Sequence, residues 1–268
     1  MTAETGNGAH QPADTTVRTE GADLLEPEDY SSTPGVLISF EGLDGSGKST
    51  QLELLAEELR AAGVVVVTTR EPGGTQVGEA VRTILLSPVH TEMVARTEAL
   101  LYAAARAQLV EEVIRPALAR GAVVLTDRFL DSSIAYQGFG RELGLDDVIT
   151  LSVWATECLF PELTLYYHVS EEERLARSSE IVDRVEAESS KFFARVEAGY
   201  AHMAELHSHR FRVINATGTV GEVYEHTRAA VNEEFGWLTS AVDGGGRVVT
   251  GSSAASSAED RLDEHGTI

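Results

Sequence analysis

The chain has 268 residues, is 43% hydrophobic and carries a formal charge of −22. That length supports one substantial core, read as one domain with tails, and an acidic chain without a basic stripe excludes a phosphate-backbone surface, so no nucleic-acid partner is expected. The one cysteine, Cys158, permits no internal disulfide, and neither an apolar run of roughly 18 residues nor a basic and apolar leader is present, so a cytoplasmic protein with no membrane partner is expected.

Residues 1–34 are rich in Thr, Gly, Ala and acids without apolar periodicity, the composition of a disordered arm. The apolar run Val36 to Phe40 then predicts a buried strand, and it runs into Gly42-Leu43-Asp44-Gly45-Ser46-Gly47-Lys48-Ser49-Thr50. This segment fits G-x-x-x-x-G-K-[ST] at every fixed position, and the helical pattern Leu52, Leu54, Leu55, Leu59 follows it. Backbone amides in such a turn, with the positive end of the next helix, surround a polyphosphate that bulkier side chains would exclude. Lys48 is expected to reach the outer phosphates and Ser49 to ligate Mg²⁺. The motif names a nucleoside triphosphate but not its partner in reaction. A GTPase, an ATPase motor and a small-molecule kinase all share it.

Further strands are predicted at Val64 to Thr68, Val123 to Thr126, Leu163 to Val169 and Phe211 to Ile214. Helical spacing fills the intervals Leu52 to Ala62, Val77 to Leu86, Thr91 to Arg120, Asp146 to Ala155, Ser189 to Leu206 and Val220 to Phe235. The alternation predicts an α/β fold: a five-stranded parallel sheet with helices on both faces, and ligands at the strand carboxyl ends. After the second strand, Thr69-Arg70-Glu71-Pro72-Gly73-Gly74-Thr75 would hold an Arg and a Glu near the phosphates. After the third, Asp127 stands where a P-loop protein keeps its magnesium acid, with Arg128 beside it for a second phosphate. Cys158 sits in an apolar stretch and reads as a buried thiol, His168 as a capped core residue, and His202, His207 and His209 as a solvated helix end. After Trp237 the glycine and serine runs give residues 238–268 the composition of a disordered tail.

From about Val36 to Val231 the chain resembles the bacterial thymidylate kinases. The resemblance is carried by Phe40 to Thr50, by Thr69 to Thr75, by Leu101-Tyr102-Ala103-Ala104-Ala105-Arg106-Ala107-Gln108, by Asp127-Arg128-Phe129 with Ala135-Tyr136-Gln137-Gly138, and by Asp183-Arg184-Val185-Glu186. It implies transfer of the γ-phosphoryl of ATP to dTMP, with Mg²⁺. It also implies that Arg70 and Arg128 hold the acceptor phosphate, that Asp44 bonds the sugar 3′-OH and that Glu71 positions the acceptor or helps hold magnesium. Tyr102, where relatives carry Phe, would stack on thymine and Arg106 would bond its O4, with Arg82, Ser133 and Gln137 at the pocket's other edges and Tyr136 against the sugar. A Gln amide can present both a donor and an acceptor to a pyrimidine.

The resemblance further implies a lid over about 174–186. There Ser179 stands at a position often basic and Glu180 adds negative charge, so stabilisation of the transferring phosphoryl falls to Arg177 and Arg184. Related enzymes are homodimers packed through the long helix, in which Leu100, Leu101, Leu109 and Val113 suit either a core or a dimer face. A kinase of another nucleoside monophosphate, and a nucleotide-binding relative with impaired catalysis, share most of these residues.

Overall fold

The structure, a computed structural model, describes residues 35–177 and 183–236. The arm read over 1–34, the tail read over 238–268 and the lid positions Ser179 and Glu180 lie outside the described residues. The strands are β1 (Val36–Glu41), β2 (Val66–Arg70), β3 (Val123–Asp127), β4 (Leu163–His168) and β5 (Phe211–Asn215). They form one sheet in the order β2-β3-β1-β4-β5, parallel throughout. The helices are α1 (Lys48–Ala61), α2 (Gln76–Leu86), α3 (Ala95–Leu109), α4 (Arg115–Ala119), α5 (Leu130–Ser133), α6 (Leu145–Thr156), α7 (Glu171–Arg177), α8 (Ser190–Leu206) and α9 (Val220–Glu234).

The period of two along central β1 explains why both sheet faces are covered. Val36, Ile38 and Phe40 pack with Leu52, Leu55 and Leu59 of α1 and Val223 and Val231 of α9. Leu37, between them, joins the opposite cluster with Val110, Ile114, Phe192 and Val196. Local chemistry sets several helix starts. Thr75 and Ser189 accept from the amides of Gly78 and Phe192, and Thr219 with Glu222 forms a reciprocal capping box on α9.

Three elements differ from the sequence expectation, each for a local reason. Strand β2 begins at Val66 rather than Val64, because Gly63 is left-handed (φ 84°) and the amides of Gly63 and Val64 close back on the carbonyls of Arg60 and Leu59. Val64 therefore belongs to the stop signal of α1. The long helix expected over Thr91 to Arg120 starts only at Ala95 and is broken by a π-helical turn, Val110–Ile114. Pro116 follows at once and has no N–H for the α-helical ladder. The segment after β3, for which the sequence pattern predicts no element, is α5 followed by a π-helical run, Ile134–Gly140. Packing rather than propensity holds it, since a Cβ on Gly140 would meet Phe192 at 2.7 Å and one on Gly199 would meet Phe139 at 2.8 Å.

Two side chains also differ. Cys158 is exposed: Glu157 and Cys158 both take left-handed backbone (φ 48° and 60°) and the Cys158 amide closes on the Val153 carbonyl, which swings the thiol outward. His168 is exposed at the end of β4, its ring edge-on to Tyr166.

A buried ion pair ties the new helical segment to the far side of the sheet. Both Arg210 terminal nitrogens donate to Asp131 of α5, at 2.7 and 2.8 Å, and Thr164 of β4 donates to the same carboxylate at 3.0 Å. Arg210→Ala would leave that carboxylate buried and uncompensated. A loss of about 3–5 kcal/mol in urea unfolding is expected; a loss below about 1 kcal/mol would show that the pair is not a structural tie.

Candidate active site

The register brings the chemistry to one edge. Phe40 and Arg70 both pair with Asp127, so the carboxyl ends of β1, β2 and β3 stand level. Beyond β1, Gly42 (φ 133°) turns so tightly that a Cβ there would lie 2.5 Å from the Tyr167 carbonyl, and left-handed Gly47 (φ 91°) caps α1. Leu43 buries its side chain in the core and offers the loop only backbone; its carbonyl accepts from Lys48 Nζ at 2.9 Å. The Ser49 hydroxyl donates to Asp127 at 2.5 Å. This hydroxyl and carboxylate are hard oxygen donors that fit a magnesium ion whose remaining ligands are phosphate oxygens and water. Among the described residues no cluster of three or more metal-ligating side chains exists. The loop from Asp44 to Gln51, with Thr50 at its rim, lines a cavity of about 500 Å³ closed by Arg177, Ala216 and Val220.

A second cavity, of about 150 Å³, meets the first at Asp44, which lines both. Arg128 governs this junction. Among the described residues it is the one non-glycine residue at a β-strand end with left-handed backbone (φ 73°), and its amide donates to the Phe40 carbonyl. Its guanidinium donates to Asp44 at 2.8 Å and to Ser132 at 3.1 Å, and lies over the Tyr136 ring, 5.1 Å from the centroid. Burial works to raise the Asp44 carboxyl, but Arg128 and Lys48 outweigh it and hold it well below the usual carboxylate range. Burial, and then Arg128, lower Lys48.

The base of the loop rests on Glu41, fully buried at the end of β1. It accepts from the Phe129 amide at 2.8 Å, the Ser132 hydroxyl at 2.6 Å and the Tyr200 hydroxyl at 2.9 Å. Sequence reasoning missed Glu41, although it stands inside a motif read there, because an acid's burial leaves no mark in composition.

The smaller cavity is lined by Glu71, Arg82, Tyr102, Ser133, Tyr136 and Gln137, and also by Asp183, Val185 and Glu186. Arg82 donates to the Pro72 carbonyl at 2.9 Å. Arg106, only 1% exposed, donates to Glu71 at 2.8 Å and Ser133 at 2.9 Å, while its Nη1 and the Glu71 Oε1 have no hydrogen-bond partner among the described residues. Burial raises the Glu71 carboxyl and Arg106 opposes it. Burial likewise raises the Tyr102 phenol, so it stays neutral. Gln137 lines the cavity but does not offer it the amide nitrogen: Nε2 donates to the buried Glu98 at 2.9 Å. The spacing of Glu98, Tyr102 and Arg106, four apart on α3, is the sequence signal that would have found Glu98.

Four arginines stand outside the smaller cavity. Arg70 is exposed, its Nη2 shared between the two Glu79 carboxylate oxygens at 3.0 and 3.1 Å, in a groove beside Ser49 and Asp127 rather than in the smaller cavity. Arg184 lines neither cavity; it donates to the Leu85 carbonyl at 2.8 Å and lies 2.7 Å from Glu98. Arg177 does reach the larger cavity, held by the Ala216 carbonyl at 2.9 Å, while Arg174 lies over the Phe193 ring.

A parallel sheet with a polyphosphate loop at its edge, and a second cavity opening on the same acid, defines a P-loop phosphotransferase of small molecules. The thymidylate kinase family model matches residues 40–226. A thymidylate kinase of an Exiguobacterium species is 48% identical over 199 residues, 72% of this chain and 94% of its own length. One from Pelotomaculum thermopropionicum is 50% identical over 186 residues, 68% of this chain and 86% of its own. The crystal structure of thymidylate kinase from Ehrlichia chaffeensis superposes with a TM-score of 0.61 at 32% identity, covering 74% of this chain and 99% of that one. The chain belongs to the thymidylate kinase family.

Burial, then the Asp131 carboxylate, push Glu41 up to about 7, against its bonds from Ser132 and Tyr200 and the charge of Arg128. Native Glu41 thus keeps a proton that the unfolded chain releases near 4.5. Its contribution to stability is full below that value and lost as pH rises through about 7. Glu41→Gln keeps the neutral form at every pH. Its Tm is expected to fall less than wild type's between about pH 5 and pH 8 in a thermal-shift series; parallel curves would mean that Glu41 titrates normally.

Proposed function

We propose that the larger cavity takes ATP, the smaller takes dTMP, and the γ-phosphoryl crosses at their junction. The observation that carries this is that Asp44 lines both cavities and is paired with Arg128. Arg128 then orients the acceptor phosphate toward the donor, and Arg70 joins it by exchanging Glu79 for that phosphate. Lys48 and the loop amides hold the donor phosphates, and Asp44 takes the sugar hydroxyl beside Tyr136. Ser49 and Asp127 would hold Mg²⁺, which when bound neutralises charge on the donor phosphates. No general base is needed, since a phosphomonoester oxygen is already an anionic nucleophile. The unpartnered Arg106 Nη1 supplies a donor to thymine O4, with Tyr102 on the ring face and Arg82, Ser133 and Gln137 around the edge.

Arg177 is the lid arginine best disposed to meet charge on the transferring group, and Arg184 joins it only by leaving Glu98 and Leu85. In a coupled assay of ADP release with ATP, Mg²⁺ and dTMP, Arg177→Ala is expected to lower kcat by about three orders of magnitude, with Lys48→Ala as the blank. An unchanged kcat would refute the role.

The same reading extends to a cytoplasmic homodimer. Among the described residues no helix is long and apolar enough to cross a membrane. Leu109 is fully buried in the core, but Leu100 is 53% exposed on α3 and Trp154 is 79% exposed on α6, a helix packed against α3. Exposed large apolar groups on adjoining helices suit a subunit interface. Trp154→Glu is expected to convert a dimer to monomer in light scattering; a dimer that survives it would move the interface elsewhere.

A further inference from the structure

Glu98 has no place among the groups that touch either substrate, yet it is 1% exposed and carries four close contacts. Its Oε1 accepts from Gln137 Nε2 at 2.9 Å and Arg141 Nε at 3.0 Å. Its Oε2 accepts from Arg141 Nη2 at 2.9 Å and lies 2.7 Å from Arg184 Nη2. Burial works to raise this carboxyl, but the bonds from Arg141 and Gln137 outweigh it, so the group is held below its ordinary value and is ionised at neutral pH. An ionised carboxylate only accepts. The Gln137 group facing it must therefore be the amide nitrogen, and the Oε1 of this cavity-lining side chain is left as its free end.

We infer that Glu98 is a specificity-determining residue that acts through Gln137: by consuming the amide donor, it makes Gln137 an acceptor only toward the nucleobase. This rests on the placement of dTMP in the smaller cavity. An acceptor matches a ring N3–H, which thymine and uracil have, and opposes the N3 lone pair of cytosine. Arg106 selects in the same sense, because a guanidinium only donates and so matches a 4-oxo group and opposes a 4-amino group. Its own direction is fixed by Glu71, as that of Gln137 is fixed by Glu98. An unconstrained Gln could rotate by half a turn and serve either base. The carboxylate removes that freedom, and a wrong base then leaves buried polar groups unpaired.

The test is the ratio of kcat/KM for dTMP to that for dCMP in wild type and Glu98→Gln. A side chain that can either accept or donate at position 98 frees Gln137 to turn. The ratio is expected to fall by about tenfold or more, chiefly through a lower KM for dCMP. A purely structural Glu98 would depress both substrates alike and leave the ratio unmoved, which would overturn the inference. Because Glu98→Gln also loosens Arg141 and Arg184, the wild-type protein supplies a second readout. In ¹⁵N-labelled enzyme the Gln137 side-chain amide, assigned by its loss in Gln137→Leu, is expected to exchange slowly with solvent and to keep its shift when dTMP is added. An amide resonance that exchanges freely and moves with dTMP would place the nitrogen on the base and refute the lock. Wild-type enzyme that fails to phosphorylate dTMP at all would instead sink the assignment of the cavity, and this inference with it.

Discussion

A guanidinium buried beside an ammonium is the constraint around which this site is arranged. Arg128 and Lys48 repel each other in a space from which bulk water is largely removed, and burial alone would favour the loss of one proton. Asp44 resolves the conflict by lying 2.8 Å from one cation and 3.7 Å from the other. Much of the surrounding structure serves to hold that triangle. The left-handed turn at Arg128 aims its side chain across β1, Glu41 fixes the following residues through Phe129 and Ser132, and Asp131 anchors α5 to the sheet through Arg210. Removing any one of these supports releases charge rather than merely a contact.

The strands and the phosphate loop were legible because their signals are local. A β-branched run entering a glycine-rich turn and leaving it as an amphipathic helix has one reasonable reading. The misplaced boundaries are also local in cause, but they depend on backbone geometry that periodicity does not report. Val64 is as apolar as a strand residue and yet completes the stop of α1, and Pro116 alters the ladder several residues before it. The segment from Leu130 to Gly140 was harder. Its glycines and serines carry no helical periodicity, and its helical form depends on the fit of Gly140 against Phe192 in α8.

Within the site, side chains with a familiar motif around them were readable and those that orient them were not. Arg128, Tyr102 and Gln137 announce themselves, whereas Glu41 and Glu98 are acids in an acidic chain. Sequence weighed Gln137 as a group with both a donor and an acceptor to give; the fold commits its donor to Glu98. Sequence likewise set Arg70 and Arg184 beside the phosphates, while the structure shows Arg70 on Glu79 and Arg184 on Glu98, a carboxylate it shares with Arg141.

That pairing recurs: Arg70 with Glu79, Arg106 with Glu71, Arg128 with Asp44. A cluster of bare guanidiniums would bind any phosphate strongly and surrender it slowly. On the proposed placement of the substrates, a phosphate that takes Arg70 or Arg128 from its carboxylate gains only the difference between two anions, which tempers affinity. The carboxylate is also at hand to reclaim its arginine as a product departs. On the proposed role of Arg70, its exposed pair with Glu79, made through one nitrogen, is suited to a cycle in which letting go is as rapid as taking hold.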